Sequence, residues 1–186
     1  MQKSIILLFF ITTIVFSCKQ RNSKIEFVKK YYETLNNSDF SNVTSLLSDS
    51  ILSKEVNYKM MFSQEDYLKL LKWDSTFSPE YRVIEISEED EIIRTKISQK
   101  DKRILFLNEE PIITNQIIRF NNGKISNIEI VKYVVFNDSI FISNRFKLLN
   151  WVGINHPEIK DFINDQTEKG GLKYIKAIEL YQEANK

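Results

Sequence analysis

The stretch Ile112 to Lys132, IITNQIIRFNNGKISNIEIVK, constrains the fold more than any other part of the chain. Two apolar-rich runs flank Asn122-Gly123. Asn and Gly both tolerate the positive φ that a type I′ turn requires at its two central positions, so this pair specifies a tight antiparallel hairpin. Side chains alternate along a strand. Ile112, Thr114, Gln116, Ile118 and Phe120 therefore share one face of the first arm, and Ile113, Asn115, Ile117 and Arg119 share the other. On the second arm Ile128 and Ile130 point one way, Asn127 and Glu129 the other. The expectation is the central hairpin of a curved antiparallel sheet that the rest of the chain covers.

The chain before the hairpin reads as three helices and then a run of strands. Ile25, Phe27, Val28, Tyr31, Tyr32 and Leu35 gather on one face at 100° per residue, which predicts a helix over Ile25–Asn36. Asn36-Asn37-Ser38-Asp39 breaks it, and a short helix is expected over Ser41–Leu47. Ile51–Tyr58 reads as a strand or irregular edge. Ser63 with Asp66 resembles a capping box and opens a third helix bearing Tyr67, Leu68, Leu71 and Trp73. From Tyr81 the period becomes two: strands over Arg82–Ile86, Ile92–Ser98 and Arg103–Leu107, with turns at Glu88–Glu91, Gln99–Lys102 and Asn108–Pro111. After Phe136 the pattern is helical again. Asp138-Ser139 reads as a cap for a helix carrying Phe141, Ile142, Phe146, Leu148, Leu149 and Val152. Pro157 suits the first position of a short helix to about Asn164. Gly170-Gly171 reads as a break before a last helix, Leu172–Glu183. Helices followed by antiparallel strands make an α+β domain over 25–136, with the N-terminal helices on the concave face of the sheet and residues 137–186 as a C-terminal helical extension.

The N-terminus reads as an address. Met1–Ser17 holds Lys3 and then an apolar run from Ile5 to Phe16. That run is shorter than the roughly 20 residues a membrane-spanning helix needs, so it reads as a secretory signal. It ends in Val15-Phe16-Ser17-Cys18, which resembles the lipobox of bacterial lipoproteins, although Phe16 is bulkier than the usual residue there. The resemblance implies acylation of Cys18, a polar tether over 18–24, and anchorage in the bacterial cell envelope. Lys19, where an Asp would retain the protein in the inner membrane, favours the outer membrane. Cys18 is the one cysteine in the sequence, so the chain forms no internal disulfide. Residues 1–17 contain one base and no acid, so without them 26 Lys+Arg become 25, against 25 Asp+Glu. A neutral domain has no electrostatic case for nucleic acid or for a polybasic membrane patch.

Phe27–Ile51, FVKKYYETLNNSDFSNVTSLLSDSI, and IIRFNNGKISNIEIV resemble two motifs of the NTF2-like, SnoaL-like superfamily, which includes ketosteroid isomerases. The first is similar to the family's opening helix, Asn-x-x-Asp break and Leu-Leu-x-Asp ending. The second is similar to its Phe-x-Asp-Gly-Lys-Ile hairpin. The resemblance covers about Ile25 to Tyr133. It implies a cone-shaped domain, a pocket between sheet and helices lined by Tyr31, Gln116, Ile118, Phe120, Ile128 and Ile130, and a homodimer formed through the sheet. In the isomerase branch the helix-one Tyr falls on Tyr31, the general base on Glu55, and the second oxyanion donor on Gln116. Gln116 departs from the family's carboxylic acid, though an amide still donates a hydrogen bond.

Three readings follow. The cone binds a small apolar ligand, or the domain binds an envelope protein partner, without catalysis. Alternatively it performs isomerase- or hydratase-like proton transfer, with Glu55 as base and Tyr31 and Gln116 as donors. In a third reading the cone is filled by its own side chains and the protein is an assembly component. The residues that could hold a metal or cofactor are few. His156 is a single histidine before Pro157 and reads as a cap or surface residue. One His and one lipidated Cys leave no ordinary zinc site and no Cys/His catalysis. No Gly-rich phosphate loop is present, and Glu88–Glu91 reads as a solvated turn rather than a calcium loop. No metal or cofactor is expected.

Overall fold

The computed structural model describes residues 21–186. The signal segment Met1–Ser17 and Cys18 lie outside the described residues. Asn122 (φ 49°) and Gly123 (φ 76°) both adopt positive φ, as a type I′ turn requires. The turn joins β5 (Ile112–Asn121) to β6 (Lys124–Val135). The two arms are not in simple register. On β6, Ser126, Val131 and Val134 have no partner on β5: Arg119 faces Asn127 and Phe120 faces Ile125; Gln116 faces Ile130 and Asn115 faces Lys132; Thr114 faces Tyr133 and Ile113 faces Val135. Each extra residue is a bulge, which bends its strand and increases the local twist. Three on one arm curl the hairpin into the wall of a cone.

Six strands form one sheet in the order β2-β1-β6-β5-β4-β3. β1 (Leu47–Glu55) and β2 (Tyr58–Ser63) make a hairpin, as do β3 (Glu80–Glu89) and β4 (Ile92–Lys100). The stretch expected as one strand or edge over Ile51–Tyr58 is thus two strands, turned at Val56, which itself takes φ 49°. The sheet is mixed rather than wholly antiparallel, because β1 lies parallel to β6. Its chain enters from helix α2 (Phe40–Leu46) instead of from a tight turn.

The concave face is covered by α1 (Arg21–Asn36), α2 and α3 (Gln64–Ser75). Val28, Tyr31, Tyr32 and Leu35 of α1 form one core with Ile51, Ile93, Ile97, Ile118 and Ile125 of the sheet. Ser63 caps α3 as its spacing suggested: its Oγ accepts from the Asp66 N–H at 3.1 Å and donates to Asp66 Oδ2 at 2.8 Å.

Arg103–Leu107, expected as a strand, is helix α4 (Lys102–Asn108). A four-residue apolar run, Ile104–Leu107, does not separate the two by periodicity. What decides is the cap: Asp101 Oδ1 accepts from the Ile104 N–H at 2.6 Å, and Ile104 and Leu107, three apart, are buried together. Helix α5 (Asp138–Asn155), a 3₁₀ turn (Pro157–Ile163) and α6 (Glu168–Ala184) follow. Asn137, not Asp138, caps α5 by accepting from the Ile140 N–H at 3.1 Å. These helices and α4 build a second core on the back of α3, with Phe77 between Trp73 (5.1 Å) and Tyr174 (5.6 Å).

Gly170-Gly171 does not break the last helix; both lie in the first turn of α6 behind the cap Thr167. They are there for close approach. A Cβ on Gly170 would sit 1.9 Å from the Asp165 carbonyl oxygen, and one on Gly171 2.2 Å from Thr76 Oγ1. Gly153 of α5 meets nothing within 4 Å. Replacing a helical Gly by Ala ordinarily stabilises by about 1 kcal/mol. Urea denaturation is expected to show that gain for Gly153→Ala and a loss of about 1–3 kcal/mol for Gly170→Ala, where the methyl has no room.

Asp101 is 3% exposed, and burial raises its carboxyl to about 6 against the pull of Arg103. The folded chain therefore holds a proton that the unfolded chain, with a carboxyl near 3.8, releases. Stability from this group is present in full below about pH 4 and is lost as pH rises to about 6, on the order of 3 kcal/mol. Asp101→Asn keeps the cap and is expected to flatten the pH dependence of the urea midpoint in that window. An unchanged slope would contradict this assignment.

Candidate functional site

A cavity of about 740 Å³ opens between the concave face, α1, α3 and the helices after the sheet. That volume is in the range of small-molecule sites, roughly 300–1,000 Å³. Each wall comes from a different part of the chain. β5 and β6 supply Ile112, Thr114, Gln116, Ile128 and Ile130. Helix α1 supplies Tyr31, Tyr32 and Leu35, and α3 supplies Tyr67, Leu70 and Leu71. The remaining wall is built by Ile104 of α4 and by Phe141, Ile142, Phe146 and Leu149 of α5. Ile142 (58% exposed) and Phe146 (64%) stand at the mouth in water, as do Glu55, Asp138 and Arg145.

The polar groups of the inner wall are bonded to one another. Tyr32 donates to Gln116 Oε1 at 2.7 Å, and Gln116 Nε2 donates to Thr114 Oγ1 at 2.8 Å. Tyr31 meets Tyr67, hydroxyl to hydroxyl, at 3.2 Å. Burial pushes the Tyr31 phenol well above its ordinary range and the Tyr67 phenol up to about 12. These phenols are therefore neutral donors, not phenolates. A second group lies between α3, β3, β4 and α4. Tyr81 donates to Asp74 Oδ2 at 2.6 Å, Gln99 Nε2 donates to the Tyr81 hydroxyl at 3.2 Å, and Arg103 Nη2 donates to Asp74 Oδ1 at 3.3 Å. The Arg103 guanidinium lies over Trp73 (4.7 Å) and Phe77 (4.8 Å).

The residues expected at the site are partly brought together. Glu55, Tyr31, Gln116, Ile128 and Ile130 all line the cavity. Glu55 lies opposite Ile130, and Ile130 opposite Gln116, so one strand separates carboxylate from amide and their backbones are roughly 10 Å apart. Ile118 is fully buried in the core and Phe120 packs on Phe27 at 5.7 Å; neither lines the cavity. Tyr31 and Gln116, expected as two donors to one pocket, both line it, each held by a different partner. Successive residues of α1 face inward together, and Tyr32, not Tyr31, reaches the amide. Glu55 instead accepts a hydrogen bond from Tyr133, whose phenol is raised by burial and then by that carboxylate. Strict alternation from Ile128 and Ile130 turns Tyr133 outward; the bulge at Val131 turns it in. Asp74, Tyr81, Gln99, Arg103 and the α5 residues were likewise not expected here. The signal for Arg103 was available in the Asp101 cap one turn before Ile104. Among the described residues no group of three or more His, Cys, Asp or Glu is placed to hold a metal ion, and no helix is long and apolar enough to cross a membrane.

No family model matches the sequence. No curated protein matches it either. Solved structures do resemble it. AclR from Streptomyces galilaeus, proposed to be a hydroxylase, aligns at 13% identity over 67% of this chain and 86% of its own, with a TM-score of 0.51. A de novo designed protein with a curved β-sheet aligns at 14% identity over 68% and 94%, with a TM-score of 0.50. An NTF2-like protein of unknown function from Cytophaga hutchinsonii aligns at 13% identity over 59% and 88%, with a TM-score of 0.48. At such identities the likeness speaks to architecture and not to chemistry. With three N-terminal helices in the hollow of a bent, six-stranded mixed sheet, the chain has an α+β cone fold, the architecture that the resemblance in its sequence implies.

Proposed function

We propose that the protein binds a small, largely apolar molecule in its cone. The observation that carries this reading is the open cavity of about 740 Å³ whose buried charges and phenols are already bonded within the wall, leaving largely apolar surface to do the binding. Burial of such surface contributes roughly 25 cal/mol per Å² before the costs of association. A purely structural role would call for a cone filled by its own side chains. The convex face gives less support for homodimerisation, because Glu129 is held there by Lys54 and by Arg119 (3.0 Å), and Glu85 by Lys96 (3.0 Å). An interface across it would have to desolvate these pairs.

A second reading, proton transfer by Glu55, is favoured by one contact: Tyr133 orients its carboxylate at the cavity. Against it, Glu55 is exposed to water, and strong general bases of this type are tuned by burial. We also infer that Cys18 is acylated and holds the protein to the bacterial envelope, in keeping with the lipobox-like Val15–Cys18. Lys24, near the start of α1, pairs with Glu88 at 3.5 Å, while Asn36 at its end bonds Tyr81. Those two β3 residues are roughly 23 Å apart. A tether would then leave from the end of the sheet opposite α5, and the cavity mouth would face away from the lipid.

The neutral fluorophore N-phenyl-1-naphthylamine is expected to bind once per chain. Ile130→Trp, which fills the cavity from β6, is expected to weaken it by about tenfold, a change of about 1.4 kcal/mol. Glu55→Gln is expected to leave it within about twofold. No binding, or full binding to Ile130→Trp, would contradict the reading. For the anchor, Cys18→Ser is expected to abolish incorporation of an alkyne-tagged fatty acid in a bacterial host; label retained on the variant would overturn it.

A further inference from the structure

The charges at the cavity divide between its mouth and its deeper wall. Arg103 and Arg145 stand with Glu55, Asp74 and Asp138, while Lys54 carries its ammonium to Glu129 on the convex face. Three of these, Glu55, Asp138 and Arg145, are at the exposed mouth. The one cation and one anion of the deeper wall, Arg103 and Asp74, are bound to each other. The Arg103 side chain is 21% exposed and that of Asp74 15%. Behind Arg103 stands a second carboxylate, Asp101, with Oδ2 at 3.8 Å from the guanidinium and no hydrogen-bond partner of its own. Both Asp74 oxygens are in use, one by Arg103 and one by Tyr81.

An anionic head group entering here would meet a guanidinium already shared by two carboxylates. A cationic one would meet a carboxylate already carrying two donors, with the guanidinium beside it. In both cases the entering charge would leave water for an opposite charge that its neighbours already neutralise, which is costly. A neutral polar group has what it needs. Among the described residues Gln99 Oε1 accepts no hydrogen bond, and one Nε2–H of Gln116 is not engaged. These supply an acceptor for a hydroxyl and a donor for a hydroxyl or carbonyl oxygen.

We propose that the cone selects uncharged amphiphiles: an apolar body against α5, β5 and β6, and a hydroxyl or carbonyl against the wall of Asp74, Tyr81, Gln99 and Arg103. This rests on the reading of the cone as a ligand pocket and names the class of ligand.

The test is displacement of N-phenyl-1-naphthylamine from the full chain by decan-1-ol, decanoate and decyltrimethylammonium, which share one alkyl length and differ in head-group charge. The alcohol is expected to displace the fluorophore at a concentration about tenfold lower than either ion. Asp74→Asn keeps the shape of the wall and frees Arg103. It is expected to shift the preference toward decanoate by about tenfold. Arg103→Gln leaves Asp74 unmatched and is expected to shift it toward decyltrimethylammonium, so the two variants move in opposite directions and either suffices if the other does not fold. Equal or tighter binding of an ion to the unaltered protein overturns the proposal. So does a preference that stays the same in whichever variant folds. If the fluorophore binds but none of the three displaces it, the selection fails while the pocket stands. If the fluorophore itself does not bind, the pocket reading fails and this inference with it.

Discussion

Three residues of β6, Ser126, Val131 and Val134, face no partner on β5, and the shape of the site depends on them. A ladder without bulges would carry the hairpin past the helices as a gently twisted ribbon. The extra residues bend it toward α1 and α3, so the concave face cannot be filled by those two helices alone. Val131 and Val134 are exposed on the outer side, where the inserted length is accommodated. The same bulge at Val131 resets the phase of the strand and brings Tyr133 to Glu55. Curvature and chemistry therefore have one source.

The remaining side is walled by helix α4 and by the helices that follow the stretch covered by the resemblance. Helix α4 lies between β4 and β5, where a tight turn would serve the sheet equally well, and α5 and α6 pack on it through Leu107, Leu148, Val152 and Ile178. Their shared core rests on α3 through Trp73 and Phe77. Arg103 joins the two regions: its guanidinium covers Trp73 and Phe77 on one side and bonds Asp74 at the cavity. The C-terminal helices neither plug the cone nor leave it bare. They give it a wall, with Ile142 and Phe146 as an apolar lip.

Where local physics and tertiary packing agree, the sequence is readable. Asn122-Gly123 turns as its positive φ values demand, Ser63 caps as its spacing to Asp66 demands, and the alternation of Ile112, Thr114 and Gln116 places all three at the cavity. Elsewhere a long-range contact decides. Nothing near Gly170-Gly171 says that Asp165 and Thr76 will press on them, so a helix start reads as a helix break. Arg103–Leu107 is apolar in a way that suits a strand or a helix, and the buried cap at Asp101 settles it. Tyr133 is lost to strict alternation because a bulge leaves no mark in the residue pattern. Tyr31 and Tyr32 both face inward, and only long-range packing sends Tyr32 to Gln116 and Tyr31 to Tyr67.

The central claim is that the curved hairpin and the added helices enclose a space that something occupies. Native mass spectrometry of the protein, purified gently from its own host, addresses that most directly. A chain mass accompanied by a small bound molecule, lost on unfolding, is the result this account predicts. A bare chain at full occupancy of the folded state, in protein never exposed to a competing apolar compound, would contradict it.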